Sequence, residues 1–279
     1  VYNFGAAILR SVGDTKRPLI FLIIAGVVNV ILNLFFVIVL KMDVDGVAWA
    51  TTISQVLSMI LVVVYLIKVK ASYRLYIKKL RIHKSSLKEI LLIGIPAGVQ
   101  GSLFSISNVI IQSGINSFGD VAMSGNGAAG NIEGFVYTSM NAFHQTALAF
   151  IGQHIGANKC HRIGKITLIC VLMVSGVGLV LGIGAFLLAR PLLSIYAPGR
   201  DDVIEFGITR MSYVCAPYFL CGIMDVLSGA SRGMGKSIST MIITLVSVCG
   251  LRILWIYTVF RQFHKLSVLY ISYPISWAV

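Results

Sequence analysis

Apolar runs long enough to cross a bilayer recur along this chain, separated by short basic stretches, and that pattern leaves little choice of fold. A helix needs about 20 apolar residues to traverse the hydrocarbon core of a membrane. Clear candidates run from Leu19 to Leu40, Val47 to Ile67, Ile90 to Ile115, Ile166 to Ala189, Phe206 to Ala230 and Ile238 to Phe260. Another run, Met123 to Gly152, is diluted by glycines, Glu133 and His144. It is read as a span because only then do the basic groups around Arg10, Lys68 to Lys88, Lys159 and Arg232 all fall on the cytoplasmic side. A last run begins near Leu266 and is cut at Val279, and Val1 opens with no charged start or cleavage site, so chain is expected beyond both ends. With 57% of residues hydrophobic and 12% charged, a soluble core does not accommodate this much apolar surface. The expectation is an all-α, multi-pass protein of the cell (plasma or inner) membrane, with the bilayer itself as a partner.

The net charge of +13 does not call for nucleic acid, because eight of the 23 basic residues lie between Lys68 and Lys88. A basic loop held against anionic lipid accounts for them. The cysteines Cys160, Cys170, Cys215, Cys221 and Cys249 stand singly in or beside apolar stretches and read as small hydrophobes. His144 and His154 make no ligand set with them, so no metal site is expected. Enzyme chemistry is not expected either: there is no phosphate-cradling loop and no interfacial cluster of acids or nucleophiles. A structural scaffold stays open, and it predicts that intramembrane carboxylates tolerate neutral replacement.

Arg10-Ser-Val-Gly13 precedes a polar turn and an apolar span, and Arg232-Gly-Met-Gly235 does the same 222 residues later. Six expected spans separate the two loops, so the copies are parallel repeats about an axis along the membrane normal, and the complete fold has about twelve helices. The reading is of two pseudo-symmetric helical lobes built from six-helix repeats, the first lobe incomplete. Residues 1–68 end the N-terminal lobe (about helices 4–6), residues 69–89 form a basic cytoplasmic linker, and residues 90–279 make the C-terminal lobe (about helices 7–12, the last one cut).

At these residues the chain resembles the multidrug and toxic compound extrusion, or MATE, family. The carriers are Arg10 to Pro18, Asn29-Val-Ile-Leu-Asn33, Gly46 to Thr51 with Ile53-Ser-Gln55, Gly94-Ile-Pro96, Gly152 to Ala157 and Arg232 to Ser237, in this order on the expected spans. The resemblance implies a two-lobed transporter that exports cationic or amphipathic compounds in exchange for protons or sodium ions, with no other cofactor. We expect it to work as a monomer. The first three helices of the family, with the acidic residue that much of the family carries in the first, are absent from this sequence. The alternative is a flippase for lipid-linked oligosaccharides with the same architecture. Many basic residues in the cavity would favour the flippase. The intramembrane groups here are few, mixed in sign and mostly amides, which favours the antiporter.

Ionisable groups inside a span cost about 2.5–3.5 kcal/mol at its centre, so each is a candidate for function. Glu133, with Tyr137, Asn141 and His144 following along one helical face, forms a polar stripe suited to a cavity wall. Glu133 and Asp225 are the cation-coupling candidates. Each has a plain structural reading, Glu133 as a hydrogen-bonded packing element and Asp225 as an interfacial partner of Arg232 or Lys236. Asn108, Gln112 and Asn116 recur every fourth residue, as Asn29 and Asn33 do, and are cavity candidates or interhelical hydrogen-bond glue. Of the two deep arginines, Arg252 is by its depth the expected ion-pair partner, ahead of Arg210. Pro96 withholds a donor where its helix could flex during alternating access, although most membrane prolines are simply tolerated.

Overall fold

Every regular element is a helix, as lipid demands, because without water in the hydrocarbon core each backbone N–H and C=O must pair within its own segment. The computed structural model describes residues 1–279 and divides into two units, Val1–His83 and Lys84–Val279.

The first unit contains α1 (Tyr2–Ser11), α2 (Lys16–Val39) and α3 (Val44–Lys68). The buried face of α3 repeats every fourth residue through Gly46, Ala50, Ser54, Ser58, Val62 and Leu66. Small residues along such a stripe let a neighbouring helix approach closely, which is the main source of helix association in lipid. Val62 and Leu66 close it against Tyr2, Ala6 and Leu9 of α1. Asn29 donates to the Ser54 hydroxyl at 3.2 Å and Asn33 to the Asn29 side chain at 3.0 Å, so these amides tie α2 to α3.

The second unit begins where the expected linker was still running: α4 spans Lys84–Asn116, so its first two turns take up Lys84 to Glu89. Then come α5 (Asp120–Gly156), α6 (Ile163–Leu187), the short α7 (Ala189–Tyr196), α8 (Asp201–Val214), α9 (Tyr218–Gly233), α10 (Ser237–Phe260), α11 (Leu266–Tyr270) and α12 (Ser272–Ala278). The diluted run is one unbroken helix of 37 residues, about 55 Å long at 1.5 Å per residue. It carries so few large apolar residues because it packs on α6, α8 and α9 at once, and it presents small or polar groups to them. Five helices are long and apolar enough to cross a membrane by length and composition, and α8 with α9 supplies a sixth.

The run from Phe206 to Ala230 is not the single helix expected. It is bent by 50° between Val214 and Tyr218, where Pro217 withholds an N–H and its ring crowds the preceding turn. Pro96 lies buried inside α4, which runs unbroken from Lys84 to Asn116. Arg252 lies between two π-helical stretches of α10, Leu245–Gly250 and Ile256–Phe260.

The repeated loops share one backbone geometry. In α1 the N–H of Gly13 bonds to the Arg10 carbonyl and that of Asp14 to Leu9; in α9 Gly235 bonds to Arg232 and Lys236 to Ser231. Both are Schellman caps, and both glycines sit at positive φ, +86° and +78°. Because a Cβ is strained there by about 1–2 kcal/mol, Gly235→Ala is expected to destabilise the protein by that amount, read as a lower thermal midpoint in detergent. Asn, which tolerates this region, is expected to cost less.

Candidate functional site

Along α5 the buried positions fall at helical spacing: Asn126, Ala129, Glu133, Val136, Met140, His144, Ala147 and Ile151. The expected polar stripe is therefore split. Glu133 and His144 belong to this packed seam, whereas Tyr137 and Asn141 stand on its edge, facing open space beside α4 and α9.

Glu133 is 5% exposed and Arg210, from α8, 8%. The guanidinium grips the carboxylate with both prongs, Nε to Oε1 at 2.7 Å and Nη2 to Oε2 at 2.6 Å. Nη1 donates to the Asn126 side chain, Asn126 donates to Gln112 at 2.8 Å, and Gln112 to Asn116 at 2.9 Å. The network joins α8, α5 and α4. With both of its oxygens committed to a cation, Glu133 is a stabilising partner first. The sequence had pointed to Arg252 as the ion-pairing arginine; the pair is made by Arg210, because α8 enters the core beside Glu133.

Arg252 is 1% exposed and meets no carboxylate. Its Nε donates to Ser276 at 2.9 Å and Nη1 to Asn108 at 3.3 Å. Its carbon Cζ lies 4.5 Å from the ring centre of Tyr273 and 5.3 Å from that of Phe104, and Nη2 has no partner. Arg210 approaches the same Tyr273 ring at 5.4 Å, so one phenol lies near two guanidiniums.

These groups wall a cavity of about 510 Å³ within the second unit, which also takes in Asn108, Gln112, Tyr137 and Trp277. A second cavity of about 330 Å³ shares Phe104, Tyr137 and Cys221 with it and continues past Gln100, Asn141, His144, Asp225 and Arg232. Here the Asp225 carboxylate has Tyr137 within hydrogen-bonding reach and its Oδ2 buried without a partner. His144 Nδ1 lies 2.6 Å from the Asp225 backbone carbonyl. A carbonyl only accepts, so Nδ1 carries the proton. Arg232 donates to Gln100 rather than forming an ion pair with Asp225.

Seven of the candidates thus line one or other of two cavities that share wall residues: Asn108, Gln112, Glu133, Tyr137, Asn141, His144 and Asp225. Asn116 joins only through Gln112. Asn29 and Asn33 are elsewhere, between α2 and α3. Sequence reading missed Gln100 and Asn126, although each had a signal. Gln100 extends the four-residue ladder of Asn108 and Gln112 toward the start of α4, and Asn126 lies two turns before Glu133. Tyr273 and Trp277 had no such signal, since aromatic residues in an apolar run are ordinary.

The MatE family model matches residues 96–258. A probable multidrug resistance protein of Bacillus subtilis (strain 168), YpnP, is 30% identical over 90% of this chain and 56% of its own length. The probable multidrug resistance protein NorM of Thermotoga maritima is 26% identical over 89% of this chain and 54% of its own. A crystal structure of a point mutant of the Vibrio cholerae MATE transporter VcmN superposes with a TM-score of 0.88 at 20% identity, over 99% of this chain and 62% of that one. The chain therefore spans little more than half the length of the relatives it matches.

Removing one member of a buried pair strands the other's charge, at a cost of about 3–5 kcal/mol. Glu133→Ala and Arg210→Met are each expected to lower the unfolding free energy in detergent by about 3–5 kcal/mol, and the double variant to recover most of it. Additive losses in the double variant would mean that the two side chains do not stabilise each other.

Proposed function

This chain belongs to the MatE family of transporters, and from that premise we propose that it takes part in secondary active export, moving organic compounds out across the membrane against an inward flow of protons or sodium ions. The names of the relatives described above, multidrug resistance proteins and a MATE transporter, favour export of small compounds over a lipid-linked flippase. Amphipathic compounds suit the cavity walls, where Phe104, Tyr218, Tyr273 and Trp277 stand beside amides and charges.

The observation that carries the coupling reading is Asp225. It is an intramembrane carboxylate with an unpartnered oxygen, and it lines the second cavity. A proton or sodium ion taken up there neutralises a group that is otherwise costly in the membrane interior, which makes ion occupancy and transport mutually dependent. Glu133 is less suited to that role, because releasing it from Arg210 exposes two charges at once. Tyr137 stands in the shared wall, where an event at Asp225 is felt by whatever occupies the larger cavity. A relay of this kind needs no metal and no cofactor beyond the coupling ion.

Vesicles carrying the protein, loaded with ethidium or with carboxyfluorescein, are expected to lose dye faster than protein-free vesicles under an imposed proton or sodium gradient. Asp225→Asn is expected to bring that loss down to the protein-free rate at unchanged membrane levels, with the effective gradient identifying the ion. Neither dye leaving under either gradient would sink the export reading, and undiminished loss from Asp225→Asn would remove Asp225 from the coupling step.

A further inference from the structure

We propose that the larger cavity of the second unit binds an organic anion, whose carboxylate or phosphate group pairs with Arg252 while its apolar part lies on Tyr273, Phe104 and Trp277. As an assignment of the transported compound this rests on the export reading; as an anion site it stands alone.

The charge inventory of the cavity wall is short. Glu133 and Arg210 cancel each other in a two-pronged pair, and no carboxylate oxygen is left over. The remaining ionisable residues are Arg252, the phenols Tyr137, Tyr218 and Tyr273, and the thiol of Cys221. One carboxylate against two guanidiniums leaves a net charge of +1. Asp225, in the neighbouring cavity, is not among the lining groups and forms no ion pair with Arg252.

A guanidinium 1% exposed is normally matched by an acid. Arg252 has neutral partners instead: a serine hydroxyl, an amide oxygen and two aromatic rings, with Nη2 left unpartnered. A second buried donor of the same wall, Trp277 Nε1, is also unpartnered. Two buried donors without partners and an uncompensated positive charge, on residues that line a space of about 510 Å³, suit an acceptor-bearing anion. Arginine suits this task better than lysine, since its planar fork bonds carboxylate and phosphate oxygens in parallel and also stacks on an aromatic ring. The π-helical stretches on either side of Arg252 fit the same picture, as such irregularities recur at functional positions in helices. A cation, by contrast, would meet a wall with no free carboxylate.

The test is equilibrium dye binding to the purified protein in neutral detergent, with no gradient present, read by fluorescence anisotropy. Carboxyfluorescein, an aromatic anion, is expected to bind more tightly than the cation ethidium. Arg252→Gln is expected to weaken carboxyfluorescein about tenfold, the loss of one charge-assisted pair, and to leave ethidium within about twofold. Asn108→Asp guards against a misfolded Arg252 variant: it sets a carboxylate against Nη1, where the amide oxygen now lies at 3.3 Å, and is expected to abolish the preference for the anion with Arg252 still in place. Carboxyfluorescein binding unchanged in Asn108→Asp, or ethidium bound as tightly as carboxyfluorescein by the wild type, would overturn the proposal. A short-chain phosphatidylglycerol that displaces the dye below its micellar concentration would assign the site to a lipid headgroup and overturn the solute; no displacement is expected. Anion binding without gradient-driven efflux would sink the export reading alone, and ethidium efflux without anion binding would sink this one alone.

Discussion

The Glu133–Arg210 pair is the contact on which the second unit depends, because it is where the cost of charge inside a membrane is resolved. A lone carboxylate and a lone guanidinium would each oppose the packing of α5 and α8. Joined by two hydrogen bonds and extended through Asn126 to Gln112, they hold three helices in register. Once α8 is anchored in this way, the chain must turn at Pro217 to bring α9 along α5 and α6, and that turn sets the positions of Cys221 and Asp225. The seam of α5 carries small residues where it meets these partners and polar ones where it meets the network, so its low apolarity is the signature of a central helix.

Electrostatics then divides the interior of the second unit into two regions of different character. In one, a satisfied pair leaves Arg252 as excess positive charge among aromatic rings; in the other, a carboxylate retains an unused oxygen beside a phenol and a histidine. Tyr137 belongs to both walls, and so do Phe104 and Cys221. On the proposed reading, a carboxylate and a solute-sized space whose walls share these side chains are what reciprocal coupling needs.

The spans, the basic loop and the paired Arg–Gly turns were legible in the sequence, because each rests on a local rule. Hydrocarbon thickness sets run length, and a Schellman cap needs glycine at one place whatever surrounds it. The four-residue ladder of amides on α4 was likewise visible, and two of its members do line the cavity. What misled was reading a stripe from one helix alone. Glu133 and Tyr137 are one turn apart on α5, yet one is locked into a seam and the other borders open space, and that distinction is made by α8 and α9.

The sequence by itself thus determined that this is a multi-pass helical membrane protein, where most of its helices lie, and which polar residues stand inside them. The tertiary structure decided which arginine takes the one available glutamate, 77 residues away, which helix breaks, and which guanidinium is left without a counter-ion. Periodicity and hydrophobicity act within a single segment, whereas the pairing of charges in a medium without water depends on which segments touch.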